Sequence, residues 1–139
     1  AAVAQADVVL DCSDNLPTRF ALGAACVAAG NPLVSGSAIR WQGQVFVYQP
    51  GQAAPCYQCL YPQSGADAVD IADEPCATMG VFAPLVLQVG SWQAAEALKI
   101  LAGLPVQSGR LHLFDLLHGR NQQIQVGKQD ACPVCALKP

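Results

Sequence analysis

The sequence predicts an α/β fold, a mixed sheet that starts parallel and continues through antiparallel hairpins. Three observations predict it. Residues 6–12 (ADVVLDC) are a short, nearly continuous apolar run ending in polar residues, the pattern of a parallel strand covered on both faces. Helix-start residues follow at once, and a second apolar run, residues 33–38, comes after that helix. Further on, residues 39–48, 110–115 and 121–126 carry the alternation of antiparallel strands.

Ser13, Asp14, Asn15 and Pro17 mark the start of the first helix, and Phe20, Ala24 and Val27 recur at helical spacing. Gly30 stops the helix and Asn31-Pro32 seals the stop, completing one β-α-β unit. Residues 39–48 read as strand, turn at Gln42-Gly43, strand. Residues 49–76 have no clear period and read as a long loop of the kind that is functional, pinned by metal or disordered. Residues 80–103 read as a second helix, with Pro84 tolerated only in its first turn. That helix is apolar on most faces, so both sides are expected to be covered. Residues 110–115 and 121–126 read as a closing hairpin. No repeat or linker marks a second domain, so residues 1–139 read as a single domain.

Hydrophobic residues make up 53% of the 139 positions and charged residues only 12%, below the usual quarter or so. This excess implies surface buried against a partner subunit or a missing part of the same fold. With a net charge of −3 and no basic run, nucleic acid is excluded as an expected partner. Residues 81–102 are the most apolar stretch, yet they carry Gln88, Gln93, Glu96 and Lys99, which a membrane span of ~20 residues rarely tolerates. The N-terminus has no basic leader and does not read as a signal peptide. The expectation is a cytoplasmic, non-membrane protein with reduced thiols.

Four of the seven cysteines form two C-x-x-C knuckles, Cys56/Cys59 and Cys132/Cys135. Each knuckle points two thiolates at one tetrahedral ion, and four sulfurs leave no open position, so the spacing predicts a structural Zn2+ site. Closing so long a loop costs ~4 kcal/mol in chain entropy, against the ~10–16 kcal/mol of zinc binding in small domains. The alternatives are two disulfides or redox pairs. A thioredoxin-like motif follows a strand and opens a helix, and neither knuckle is expected to open one.

Asp14 and Asn15 fall where a parallel strand hands over to a helix, the end of an α/β sheet at which ligands bind. Asp14 could hold Mg2+ while a nucleotide supplies phosphates, Asn15 could bond the nucleotide, and Arg19 could orient these groups or neutralise charge. The plainer alternative is that Asp14 or Asn15 caps the helix and Arg19 is solvated. Cys76 precedes the second helix by a few residues. The helix dipole favours its thiolate while Asp73 and Glu74 oppose it, so nucleophile and exposed loop thiol both stand. Cys12 and Cys26 read as small core residues. His112 and His118 have no Ser or Asp partner at catalytic spacing and receive no role.

Together, D-C-S-D-N with Arg19, then CYQCL, then CATMGVFAPLVLQVGSWQAAEALKIL, then CPVC resemble the ThiF/MoeB/HesA family, relatives of the ubiquitin-activating enzymes. The resemblance runs from Asp7 to Cys135. It implies a Rossmann-like fold and an adenylyltransferase that uses Mg2+ and ATP. The substrate it implies is the C-terminal glycine of a ubiquitin-like sulfur-carrier protein ending in Gly-Gly, in thiamine or molybdopterin synthesis. It implies that Asp14 is the Mg2+/ATP aspartate, Asn15 its neighbour in the nucleotide site and Arg19 the end of the D-N-x-x-x-R pattern. It further implies that Cys76 handles the carrier or its sulfur in some branches, that Cys56, Cys59, Cys132 and Cys135 bind zinc, and that the protein is a homodimer.

The sequence departs from the family in having neither G-x-G-x-x-G nor G-x-x-x-x-G-K, so the backbone cradle for phosphates is missing. The chain is therefore expected to be the C-terminal part of such an enzyme, without its Gly-rich half and inactive alone. The alternative is a non-catalytic, zinc-stabilised module that binds a ubiquitin-like carrier. A dinucleotide oxidoreductase fragment is a third reading, since a β-α-β unit alone is promiscuous, but the two-knuckle zinc and the lack of a nicotinamide fingerprint argue against it.

Overall fold

β1 (Val9–Asp11) runs parallel to β2 (Leu33–Ile39), with Asp11 opposite Ser35. They are joined by α1 (Leu16–Ala29), which makes the predicted β-α-β unit. This computed structural model describes residues 2–51, 53–62 and 79–136, so the predicted role of Cys76 falls outside the described residues. After β2 come β3 (Gln42–Tyr48), the one-turn helix α2 (Tyr57–Leu60), α3 (Ala83–Leu101), β4 (Arg110–Asp115) and β5 (Arg120–Gln125). Among the described residues the strands form one mixed sheet in the order β1-β2-β3-β4-β5, antiparallel from β2 onward.

Two apolar layers hold the sheet. On one face Leu33, Phe46 and Leu111 pack with Cys26 and Val27 of α1, Tyr57 of α2 and the four knuckle cysteines. On the other, Val34, Val45, Val47 and Phe114 meet Leu85 and Val89 of α3. Because both faces are covered, Val45, Phe46, Val47 and Tyr48 are all buried, and alternation is lost exactly where the sheet is central.

Both helices start and stop as their residues dictate. Asn15 caps α1, its side chain accepting from the Thr18 amide at 2.9 Å, and Pro17 lies in the first turn. Gly30 ends the helix at φ 72° in the left-handed region, where a side chain is strained. Pro84 lies in the first turn of α3.

Three expectations are corrected. The β2–β3 turn is at Arg40-Trp41, since Ala38 pairs with Gly43 and Ile39 with Gln42 inside the ladder. Gly43 serves packing rather than a turn, as a Cβ there would stand 2.7 Å from Cγ2 of Val89. The second helix is covered on one side only: Leu87 and Leu98 are 73% and 65% exposed, and Val86 and Leu101 are exposed beside them. Cys12 is exposed, because β1 ends one residue earlier at Asp11. Cys26 is buried as predicted, and burial pushes its thiol up to about 11, with the Asp11 charge adding to the effect.

Candidate functional site

The turn between β1 and α1 sits at the carboxyl end of the parallel strands, and a buried polar network holds it. Oδ1 of Asp11 accepts from the Ser13 amide at 3.0 Å and from the Ser13 hydroxyl at 2.6 Å. Its Oδ2 accepts from Ser35 Oγ at 3.0 Å and lies 3.7 Å from the Arg19 guanidinium. Arg19 is buried, not solvated as the plainer reading had it. It donates to Ser35 Oγ at 3.2 Å, to the Gly36 carbonyl at 2.9 Å and to the Ser13 carbonyl. A planar guanidinium with several fixed donors suits such a three-point grip. These contacts leave the Asp14 carboxylate exposed at the apex, with Asn15 Nδ2 3.4 Å from its Oδ1.

Asp14 and Arg19 also line a cavity of about 540 Å³ over the α1 face of the sheet. Its far wall is formed by Asp115 of β4 and by Arg120 and Gln122 of β5. Tyr57 and Tyr61 stand between, with ring centroids 5.5 Å apart, and Tyr61 Oη donates to Gln44 Oε1 at 2.8 Å. Burial pushes both phenols up, Tyr57 to about 12, so both hydroxyls stay protonated at neutral pH. The cavity lining mixes four charged side chains, Asp14, Arg19, Asp115 and Arg120, with apolar ones such as Leu16, Ile39 and Leu113, and a concavity of this size has room for a small ligand.

The four knuckle cysteines converge. Their sulfurs lie within 4.8 Å of one another and all four residues are buried. Sγ of Cys56 is 3.7 Å from that of Cys132, and Sγ of Cys59 is 3.4 Å from that of Cys135. These gaps are far above the ~2.05 Å of a disulfide. They suit a tetrahedral ion instead, since bonds of ~2.3 Å set sulfurs roughly 3.8 Å apart. The donor set therefore fits zinc. A hydrogen bond from the Cys56 thiol draws Cys59 down, and the same bond pushes Cys56 up.

One premise about the knuckles is corrected. Cys56 occupies the N-cap position of α2, so the first knuckle does open a helix, although only of one turn. The redox reading gains nothing, because the four sulfurs converge within 4.8 Å of one another as one cluster rather than as two separate pairs.

Among residues given no role, His118 does have a carboxylate partner. Its Nδ1 is 2.8 Å from Asp115 Oδ2, and this bond holds the Asp115 carboxyl below its usual range. His112 is buried under Trp92, with ring centroids 4.7 Å apart, and burial lowers its pKa. Asp11, Ser35 and Gln93 were not legible as site residues. Only the polar breaks they make in apolar runs signal them, since their partners come from other elements.

Residues 1–134 match the ThiF family. Over 134 residues the chain is 41% identical to the sulfur carrier protein ThiS adenylyltransferase of Escherichia coli, covering 96% of this chain and 51% of that protein. It is 43% identical over 138 residues to the molybdopterin-synthase adenylyltransferase of Escherichia coli, covering 97% of this chain and 53% of that one. It is 47% identical over 135 residues to the adenylyltransferase and sulfurtransferase MOCS3 of Sus scrofa, covering 96% of this chain and 29% of that protein. The chain thus spans about half, or less, of these curated relatives. In fold it is like the crystal structure of Escherichia coli MccB with ATP, at a TM-score of 0.70 and 16% identity over 94% of this chain and 40% of that one. With its mixed sheet, its four-cysteine cluster and these relatives, the chain belongs to the ThiF family.

Proposed function

We propose that this chain is the C-terminal part of an adenylyltransferase that uses Mg2+ and ATP to activate the C-terminal glycine of a ubiquitin-like sulfur carrier ending in Gly-Gly. The observation that carries the proposal is the exposed Asp14 carboxylate, aimed from a rigidly held turn at the rim of a cavity. Its exposure suits a metal that keeps most of its water and takes one protein oxygen. Asn15 offers its amide nitrogen, its oxygen being committed to the helix cap. Arg19 acts by orienting the turn and by its positive charge at the cavity wall. When bound, Mg-ATP supplies the adenylyl group; the residues here hold and orient it.

Zn2+ on Cys56, Cys59, Cys132 and Cys135 ties the chain's last turns to α2 and shapes the cavity wall that carries Tyr57 and Tyr61. Cys76 handles the carrier or its sulfur, and Cys76→Ser is expected to abolish any covalent carrier adduct without loss of adenylation. The absence of a Gly-rich phosphate loop and the exposed outer edge of β1, where Leu10 is 43% exposed, support a sheet that continues in a longer protein. The exposed leucines of α3 support a homodimer. Among the described residues no helix is long and apolar enough to cross a membrane, and the reading places the protein in the cytoplasm.

ATP–pyrophosphate exchange with a Gly-Gly-ended carrier tests the proposal. This chain alone is expected to bind the carrier without exchange, while the longest natural polypeptide that contains it exchanges. Carrier binding with no exchange by either would favour the non-catalytic binding module, which the missing phosphate loop favours.

A further inference from the structure

Gln93 is a buried amide in an apolar helix face, and it needs partners to be there at all. It has them. Its Nε2 donates to the carbonyl of Asp11 at 2.9 Å and to that of Val34 at 3.1 Å, spending both N–H groups, and its Oε1 takes the Cys12 thiol at 3.7 Å. Asp11 is the last residue of β1 and Cys12 is the first of the turn that presents Asp14. Arg19 grips that turn from the α1 side of the sheet, and Gln93 grips it from the α3 side.

The opposing strand is built to let the amide through. A Cβ at Gly36 would stand 2.3 Å from Cδ and Oε1 of Gln93, so Gly36 keeps the lane open. A glycine inside a central strand weakens it, and its presence here is explained by this close passage. The same Gly36 carbonyl accepts from Arg19, so the two grips meet at one residue.

We infer that Gln93 is a positioning residue for the nucleotide site: through the Asp11 carbonyl and the Cys12 thiol it sets the turn that aims Asp14, and Gly36 makes room for it. This rests on the reading of Asp14 as the Mg-ATP aspartate. A shift of the turn by ~1 Å is enough to cost a large factor in binding and rate.

The test uses Gln93→Met, which keeps length and packing but has no N–H, in the longest natural polypeptide that contains the chain. Without ligand, amide exchange at Ser13 and Asp14 is expected to speed up while α1 and the zinc content stay unchanged. Mg-ATP binding by calorimetry is expected to weaken by about tenfold, and exchange to show a raised KM for Mg-ATP with kcat lowered less. Gly36→Ala should reproduce these effects, and should cost less stability in a Gln93→Ala background than alone. A Gln93→Met protein that binds Mg-ATP normally, or that loses only global stability, would overturn the inference. Asp14→Ala separates the two levels: if it leaves Mg-ATP binding intact the proposed function fails, whereas loss in Asp14→Ala with normal Gln93→Met defeats the positioning role alone.

Discussion

Sγ of Cys59 lies 3.4 Å from Sγ of Cys135, although the two residues are 76 positions apart in the chain. Only tertiary folding brings these sulfurs together, and four sulfurs within 4.8 Å of one another are the donor set of a tetrahedral cation. The protein is expected to contain one Zn2+ per chain by metal analysis. Chelation, or Cys132→Ser, is expected to release the metal and lower the melting temperature by at least about 10 °C. Freshly purified protein without zinc would overturn the assignment.

Asp14 and Asn15 separate into two roles that neighbouring substitutions distinguish. Asn15 caps α1, so Asn15→Ala is expected to cost about 1 kcal/mol in denaturant unfolding. Asp14 caps nothing and is exposed, so Asp14→Ala is expected to change stability by less than about 0.5 kcal/mol. In the longest natural polypeptide that contains the chain, it is expected to lower ATP–pyrophosphate exchange by about a hundredfold or more. Near-normal exchange would return Asp14 to an ordinary surface residue.

Arg19 is the buried cation of the turn, and Asp11 is its 3.7 Å counter-charge. Arg19→Ala leaves that carboxylate buried without its cation and is expected to destabilise by ~3–5 kcal/mol. Arg19→Lys keeps the charge but loses the fork that reaches Ser13, Ser35 and Gly36 together, so an intermediate loss is expected. Equilibrium unfolding of the two variants checks the order.

The exposed face of α3 predicts self-association. Leu87→Glu or Leu98→Glu is expected to convert a dimer to monomer in sedimentation equilibrium while the melting temperature of the monomer fold changes little. A dimer that survives both changes would move the interface elsewhere.

His112 predicts an acid-side loss of stability. Burial lowers its folded-state pKa, with Arg110 and Lys99 adding to the effect and Glu96 opposing it. The unfolded state therefore binds the proton first. The neutral-histidine contribution is fully present above the unfolded pKa of ~6.5 and is lost as pH falls toward the folded value. Unfolding curves at pH 7.5 and at pH 5.5 (both about) should differ less in His112→Phe than in the unchanged protein.

The β-α-β unit, the helix starts at Asn15 and Pro84, and the closing hairpin are legible because each rests on local chemistry: capping, fixed φ, and period-two alternation. The Arg40-Trp41 turn is not, because Gly43 is a turn signal in sequence and a packing glycine in space. The burial of Arg19 is equally hidden: an arginine one turn into a helix looks solvated until β2 is laid beside it.

By itself the sequence determined the β-α-β unit, the second long helix, the closing hairpin, the paired knuckles and the D-C-S-D-N turn, since these depend on residues close together in the chain, but not α2, which lies in the stretch read as a loop. The tertiary structure decided between one cluster of four sulfurs and two separate pairs, in favour of the cluster that the paired knuckles predict. It also decided that the Asp14 turn is gripped from both faces of the sheet, by Arg19 and by Gln93 from α3. Such contacts join residues whose separation along the chain carries no information about their distance in space, and only the packing of α1 and α3 on opposite faces creates them.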